Sequence, residues 1–187
     1  MALETPKDAY IFCKQNGLLD VAAAIVGGMN FKQHFEVAYN SLAQGEIAEY
    51  VFGASWKGMY DFTHNSGVAC VLTNERLIMA QKYAFNKTSR AVQLVTINSV
   101  NVHQGAMWSG VDVITNAETI ELRTAKKHAD VIRAEIQNSM NNVLRTRAQP
   151  VVQANTSAAD ELLKFKQLLD AGVITQQEFD AQKAKLL

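Results

Sequence analysis

Two cysteines in 187 residues are too few for a disulfide framework. Cys13 and Cys70 sit in apolar surroundings, Ile-Phe-Cys-Lys and Val-Ala-Cys-Val-Leu, which reads as packed thiols in a reduced compartment. Neither sign of charge is in excess: 18 basic side chains face 18 acidic ones. A chain built to neutralise nucleic-acid phosphates needs clustered Lys and Arg, so nucleic acid is not the expected partner. Long apolar runs are missing as well. The most apolar stretch, Val21 to Phe31, is closed by Asp20 and Lys32, and its eleven residues fall short of the roughly 20 that a membrane-spanning helix needs. The N-terminus lacks a basic segment leading into an apolar one, so no secretory signal is expected and a cytoplasmic location is.

Catalytic signatures are equally scarce. There is no G-x-S-x-G, P-loop or H-E-x-x-H pattern. His34, His64, His103 and His128 are widely spaced on different predicted elements, so neither a metal site nor a cofactor is expected. Asp61 and His64 can be imagined as an acid–base pair, but nothing supplies a nucleophile or an orienting third group. The chain reads as a non-enzyme.

What is present is a change of period along the chain. Residues 5–30 read as an Ala-rich helix stopped by Gly27-Gly28. Phe31, Phe35, Ala38 and Leu42 form one stripe, which predicts a helix from Lys32 to about Ala43. From Glu46 the period falls to two. Strands are predicted from Ile47, over Val68–Leu72 and Leu77–Ala80 with a turn at Thr73–Arg76, then over Ala91–Ile97, Val100–His103, Val111–Thr115 and Thr119–Arg123. Their alternation points to an antiparallel sheet covered on one side. Ala129, Ile132, Ile136, Met140, Val143 and Leu144 then mark an amphipathic helix over about 125–145 that closes the sheet. The fold class is α+β.

Residues 146–157 lack periodicity, contain Pro150 and read as a linker. The remainder, 158–187, reads as a helical hairpin. Ser157 is placed to cap its first helix, and Gly172 to stop it. Thr175 and Glu178 complete a capping box, flanked by the Ile174/Phe179 staple. Leu162, Phe165 and Leu169 form a stripe with Leu168 beside it. Two short helices cannot bury all these side chains against each other. The hairpin should therefore dock on its own sheet domain, on another copy, or on a protein partner. Leu162, Phe165, Leu168, Leu169, Ile174 and Phe179 are the candidate interaction residues. A second candidate site is basic: Lys82, Lys87 and Arg90 flank the predicted loop between the third and fourth strands, where an anionic ligand or a membrane surface would bind.

Two resemblances follow from these residues. Leu162, Leu163, Phe165, Leu168, Leu169, Gly172, the run Ile174–Phe179, Lys183, Leu186 and Leu187 resemble the SHOCT (short C-terminal) domain. The runs Gly67–Ile78, Val95–Val100 and Trp108–Ile114, with the helix from Ala125, resemble the bacterial pleckstrin-homology-like domains of the YokE type. The resemblance implies a bent, seven-stranded antiparallel sheet or barrel capped by a C-terminal helix. It divides the chain into an N-terminal helical segment (1–30), the pleckstrin-homology-like domain (31–145), the linker and the hairpin. It also implies a binding or scaffold module, with the tail serving oligomerisation or partner recruitment. Lipid-binding relatives in eukaryotes clamp phosphates with several Lys and Arg in the first hairpin loop. Here that loop, Ser55–Ser66, holds only Lys57 and His64 among Trp56, Tyr60 and Phe62, too few donors for a multidentate phosphate site.

Overall fold

In a computed structural model, residues 2–19, 31–56, 67–83, 85–106, 108–148 and 158–186 are described. They form two compact units, residues 1–147 and 148–187.

The first unit opens with α1 (Pro6–Gln15). The Thr5 hydroxyl accepts the Asp8 N–H, and the Asp8 carboxylate accepts the Thr5 N–H, a capping box with Pro at the first helical position. The helix stops far earlier than the predicted 5–30. Gly17 takes φ +65°, its N–H donates to Lys14 C=O, and the Leu18 N–H donates to Cys13 C=O. That is a Schellman closure, and Asn16-Gly17 is its local signal. Residues 20–30, where Gly27-Gly28 was expected to stop the helix, lie outside the described ones. The second helix, α2 (Phe31–Tyr39), ends before the predicted Ala43.

Seven strands follow: β1 (Ala48–Trp56), β2 (Gly67–Thr73), β3 (Arg76–Tyr83), β4 (Asn86–Gln93), β5 (Ile97–Gln104), β6 (Ser109–Thr115) and β7 (Thr119–Thr124). They form one antiparallel sheet in the order β4-β3-β2-β1-β7-β6-β5. A long helix, α3 (Lys126–Ala148), closes the unit and sends Ala129, Ile132 and Ile136 into the core. Leu144, assigned to its buried stripe from periodicity, is exposed.

Every residue of β2 is buried. The half-sheet around it is therefore covered on both faces, not on one, as the unbroken apolar run Val68–Leu72 requires. α2 lies on β2 and β3, and α1 lies on β1 and α2. Ala9, Cys13 and Leu18 join the same core as Phe52, Leu72 and Ile136, so α1 is built into the body of the sheet domain.

Among the described residues, β1 pairs with β7 through Ser55↔Arg123 and Trp56↔Leu122. Upstream, the Gly53 N–H instead donates to Leu18 C=O at 3.0 Å. A Cβ on Gly53 would lie 2.9 Å from Leu19 Cδ2 and 3.2 Å from both Leu18 O and Phe31 Cε1. Gly53→Val is expected to destabilise the unit by roughly 1–3 kcal/mol despite its better strand propensity. Urea denaturation checks this, and an unchanged midpoint would show that the close approach is not needed.

The second unit holds α4 (Ala158–Asp170) and α5 (Gln176–Leu186). Gly172 at φ +70° repeats the closure seen after α1: its N–H donates to Leu169 C=O, and the Val173 N–H donates to Leu168 C=O. Thr175 and Glu178 form the capping box read from the sequence, with the Glu178 N–H on the Thr175 hydroxyl and the Thr175 N–H on the Glu178 carboxylate. These bonds hold the Glu178 carboxyl below its ordinary pKa. Ser157 lies outside the described residues.

Candidate functional site

The sheet domain places its buried charge where two turns meet. Thr73 ends β2, and its hydroxyl oxygen accepts the N–H groups of Glu75 and Arg76, which fixes the β2–β3 turn. The same hydroxyl donates to Glu46 Oε1 at 2.7 Å. Arg76 closes on Glu46 with a two-pronged grip, Nε to Oε1 and Nη2 to Oε2, both 2.8 Å. The Ala43 N–H adds a further donor at 2.8 Å, and the Glu46 side chain is 0% exposed. Burial pushes the Glu46 carboxyl up, but the bonds from Arg76, Ala43 and Thr73 and the Arg76 charge outweigh it and bring it to about 2. All its acceptor capacity is taken, so this is a structural clamp with no room for chemistry.

His34 is a second buried polar group. From α2 its Nδ1 accepts the Lys82 N–H of β3 at 3.0 Å, and Phe31 meets its ring edge-on at 5.2 Å. Burial pulls the imidazole down to about 4. Cys13 and Cys70 are both buried, and burial pushes both thiols up. A thiol in that state is a poor nucleophile.

The three basic residues assigned to one loop do not share it. Lys82 lies on β3, and Lys87 and Arg90 lie on β4. Lys82 and Lys87 are direct cross-strand partners, whereas Arg90 sits opposite Met79. Arg90 forms an ion pair with Glu118 in the β6–β7 turn, and its guanidinium lies over the Trp56 ring at 5.4 Å. It therefore braces the sheet and is not part of an open anionic-ligand site. Trp56, with Ser55, belongs to buried β1 and not to the first loop. Lys57, Tyr60, Asp61, Phe62 and His64 lie outside the described residues. Phe85 belongs to none of the sites expected from the sequence. It stands in the connection between Tyr83 and Asn86 and is 99% exposed. Two aromatics, Tyr83 and Phe85, between Lys82 and Lys87 were the available signal.

In the hairpin, Leu162, Phe165, Leu169, Ile174 and Phe179 are half-buried within their own unit. The apolar side chains left outside are Leu168 at 40%, Leu163 at 61% and Val173 at 67% exposure. Val173 and Leu168 are also the hydrogen-bonded ends of the Gly172 closure, so they stand at one corner of the hairpin. The candidate interaction surface thus shifts from the stripe to this corner.

A cavity of about 340 Å³ beside the β5–β6 connection is lined by His103, Trp108, Glu121 and Arg123, among others. Its polar groups serve one another. His103 Nδ1 lies 3.0 Å from Asp112, and Arg123 Nε donates to Glu121 at 2.9 Å. Among the described residues, no group of three or more His, Cys, Asp or Glu is placed to hold a metal ion. No helix among them is long and apolar enough to cross a membrane.

A family model matches the residues that carry this sheet and the start of its closing helix. The model described as "Bacterial PH domain" covers residues 21–135, more than half of the chain. The chain belongs to the bacterial PH domain family. A second model, "Short C-terminal domain", covers residues 160–187. In the bacterial PH domain, then, the matched range holds all seven strands, and α1 lies before it. Solved structures similar to the chain include the "Vps36 N-terminal PH domain", at 16% identity and TM-score 0.47, with 56% of this chain and 86% of that one covered. The hSac2 domain of the human phosphoinositide phosphatase Sac2 is 11% identical with TM-score 0.44, covering 57% and 78%. A protein with a pleckstrin-homology domain from Shewanella loihica is 18% identical with TM-score 0.38, covering 62% and 93%. No curated protein matches. PH-like and short C-terminal domains are generally non-catalytic binding modules, and their pairing supports a binding or scaffold module here.

Proposed function

We propose that this bacterial PH domain protein is a scaffold whose terminal hairpin joins copies of the chain, with recruitment of a different protein as the other form of the same reading. One observation carries it. The hairpin spends Leu162, Phe165 and Leu169 on its own packing and still leaves Leu163, Leu168 and Val173 at the surface. Apolar surface left outside a small unit, with Leu168 and Val173 together at one corner, is what an assembly contact uses. The free thiols Cys13 and Cys70 support a cytoplasmic setting for this role. The expected result is that the native chain elutes as an oligomer by size-exclusion chromatography with light scattering. Leu168→Asp/Val173→Asp should elute as a monomer with unchanged circular dichroism. Phe165→Asp is the poorer probe, because Phe165 also packs the hairpin. A native chain that is already monomeric overturns the copy-joining form.

A second reading, binding to an anionic surface, is favoured by the β3–β4 register. Lys82 and Lys87 lie directly opposite each other, an arrangement that destabilises a sheet unless negative charge offsets it.

A further inference from the structure

We infer that the outer edge of β5 takes up an extended, uncharged segment of a different protein, which pairs there as an eighth strand and places an aromatic side chain in the cavity beside the β5–β6 connection.

Three observations meet at this edge. First, β5 ends the seven-stranded sheet, and the element packed along it is β6. One row of its backbone N–H and C=O groups therefore faces away from the ladder. Second, β5 carries none of the side chains that keep such a row from pairing. Its residues, Ile97–Gln104, include no Pro, Lys, Arg, Asp or Glu, and the uncharged run extends from Ala91 to Val111. The opposite edge, β4, carries Lys87 and Arg90. The pairing of β5 is irregular at Ile97/Ser99 and unbroken from there to Gln104. A regular edge without charge or Pro is a template for another strand. Third, the cavity lies at the end of this run. The His103 ring takes the space that a side chain at Gly110 would fill. His103 is engaged with Asp112, and Arg123 with Glu121. What the cavity offers a guest is then the Trp108 ring, Ala106 and glycine backbone. At about 340 Å³ it falls at the small end of ligand pockets, which run from about 300 to 1,000 Å³, and suits one side chain.

A second β5 would fit the edge and leave the cavity empty. On the face that holds the cavity it presents Ser99, Asn101 and His103, none of them apolar. A charged segment would gain no ion pair along β5 itself. The occupant that answers both features is extended and alternating, with β-branched residues on the face of Val100 and Val102 and one aromatic on the other. The edge belongs to the sheet domain, so the inference does not rest on the hairpin contact.

The test uses the full-length chain and a fluorescein-labelled peptide, Thr-Val-Trp-Val-Thr-Val-Thr, followed by anisotropy. Saturable binding is expected, with slower amide exchange over Ser99–Gln104 in the complex. Replacing the peptide's aromatic by serine should lower affinity at least about tenfold. Ala106→Arg, at an exposed position lining the cavity, should weaken the aromatic peptide by about the same factor and leave the serine peptide unchanged. N-methylation of one alternate set of peptide amides should lower affinity about 25-fold, because those donors face β5, and methylation of the other set far less. Leu168→Asp/Val173→Asp should bind the peptide as the native chain does, which separates this edge from the hairpin contact. Equal losses for the two methylated sets overturn the strand pairing. Native binding of the aromatic peptide by Ala106→Arg overturns the role of the cavity. An absence of peptide binding overturns the whole inference. Edge amides already protected in the free chain, increasingly so as its concentration rises, overturn it in favour of a second copy.

Discussion

Arg76→Leu is expected to destabilise the sheet domain by about 3–5 kcal/mol. The substitution keeps an apolar stem and removes the grip on Glu46, whose side chain is 0% exposed. The carboxylate would then have only the Ala43 N–H and the Thr73 hydroxyl as donors. A charge left in that state must either protonate or pull water into the core, and both are unfavourable. Arg76 also donates from Nη2 to Ser41 C=O at 2.7 Å, so the chain between α2 and β1 loosens with it. Replacing both partners, Glu46→Gln with Arg76→Leu, should lose less than Arg76→Leu alone, because no uncompensated charge remains. Urea denaturation of the two variants decides it. A loss below about 1 kcal/mol for Arg76→Leu would mean that the clamp is not a stability element.

Acid should unfold the same domain in two legs. The first belongs to His34. An unfolded histidine titrates near 6.5, whereas burial holds this one at about 4. Between those values the unfolded chain binds a proton that the folded chain does not, so stability falls as pH drops from 6.5 toward 4. The full leg is worth about 3 kcal/mol. The cause is geometric as well as dielectric: a protonated Nδ1 would point its hydrogen at the Lys82 N–H it now accepts. The second leg belongs to Glu46. Its ordinary value lies near 4.5 and its folded value at about 2. Stability present above pH 4.5 is therefore lost as pH falls toward 2, by about 2 kcal/mol after allowing for solvent screening. Urea midpoints at pH 7, 5 and 3 measure both legs. His34→Gln should flatten the first and keep the second. If that variant falls between pH 7 and 4 as steeply as the native chain, His34 is not the group responsible.

The parts legible in the sequence were those whose causes are local. The Thr175/Glu178 box, the Gly172 stop and the Thr73–Arg76 turn each complete their hydrogen bonds within a few residues. The helix after β7 was legible because its apolar positions recur at the helical period, though Leu144 shows that the period outlasts the surface it packs on. Asn16-Gly17 was equally local and was passed over because the Ala-rich run beyond it invited one continuous helix. Coverage of the sheet on both faces was implicit in Val68–Leu72, a run with no alternation.

The candidate site was less legible. Lys82 and Lys87 were found as charges, but their pairing is a property of strand register. Phe85 carries no signal of its own in the sequence, because an aromatic two residues from Tyr83 looks like any core residue until the strands on either side are drawn together. In the hairpin, Leu162, Phe165, Leu169, Ile174 and Phe179 of the candidate residues are half-buried, whereas Leu168, also a candidate, stands exposed with Val173 across the Gly172 closure.

By itself, then, the sequence determined the α+β class, the closing helix and the capped hairpin, because periodicity and caps act over one or two turns of chain, whereas the strand expected over Ala91–Ile97 is instead β4 (Asn86–Gln93) followed by a 3-10 turn at Leu94–Thr96. Tertiary structure alone decided which charges are used up. Arg76 finds Glu46 across 30 residues of chain, and Arg90 finds Glu118 from another strand. Two lysines are left at a tip beside an aromatic ring, because a side chain's partner is set by the register that brings distant strands together.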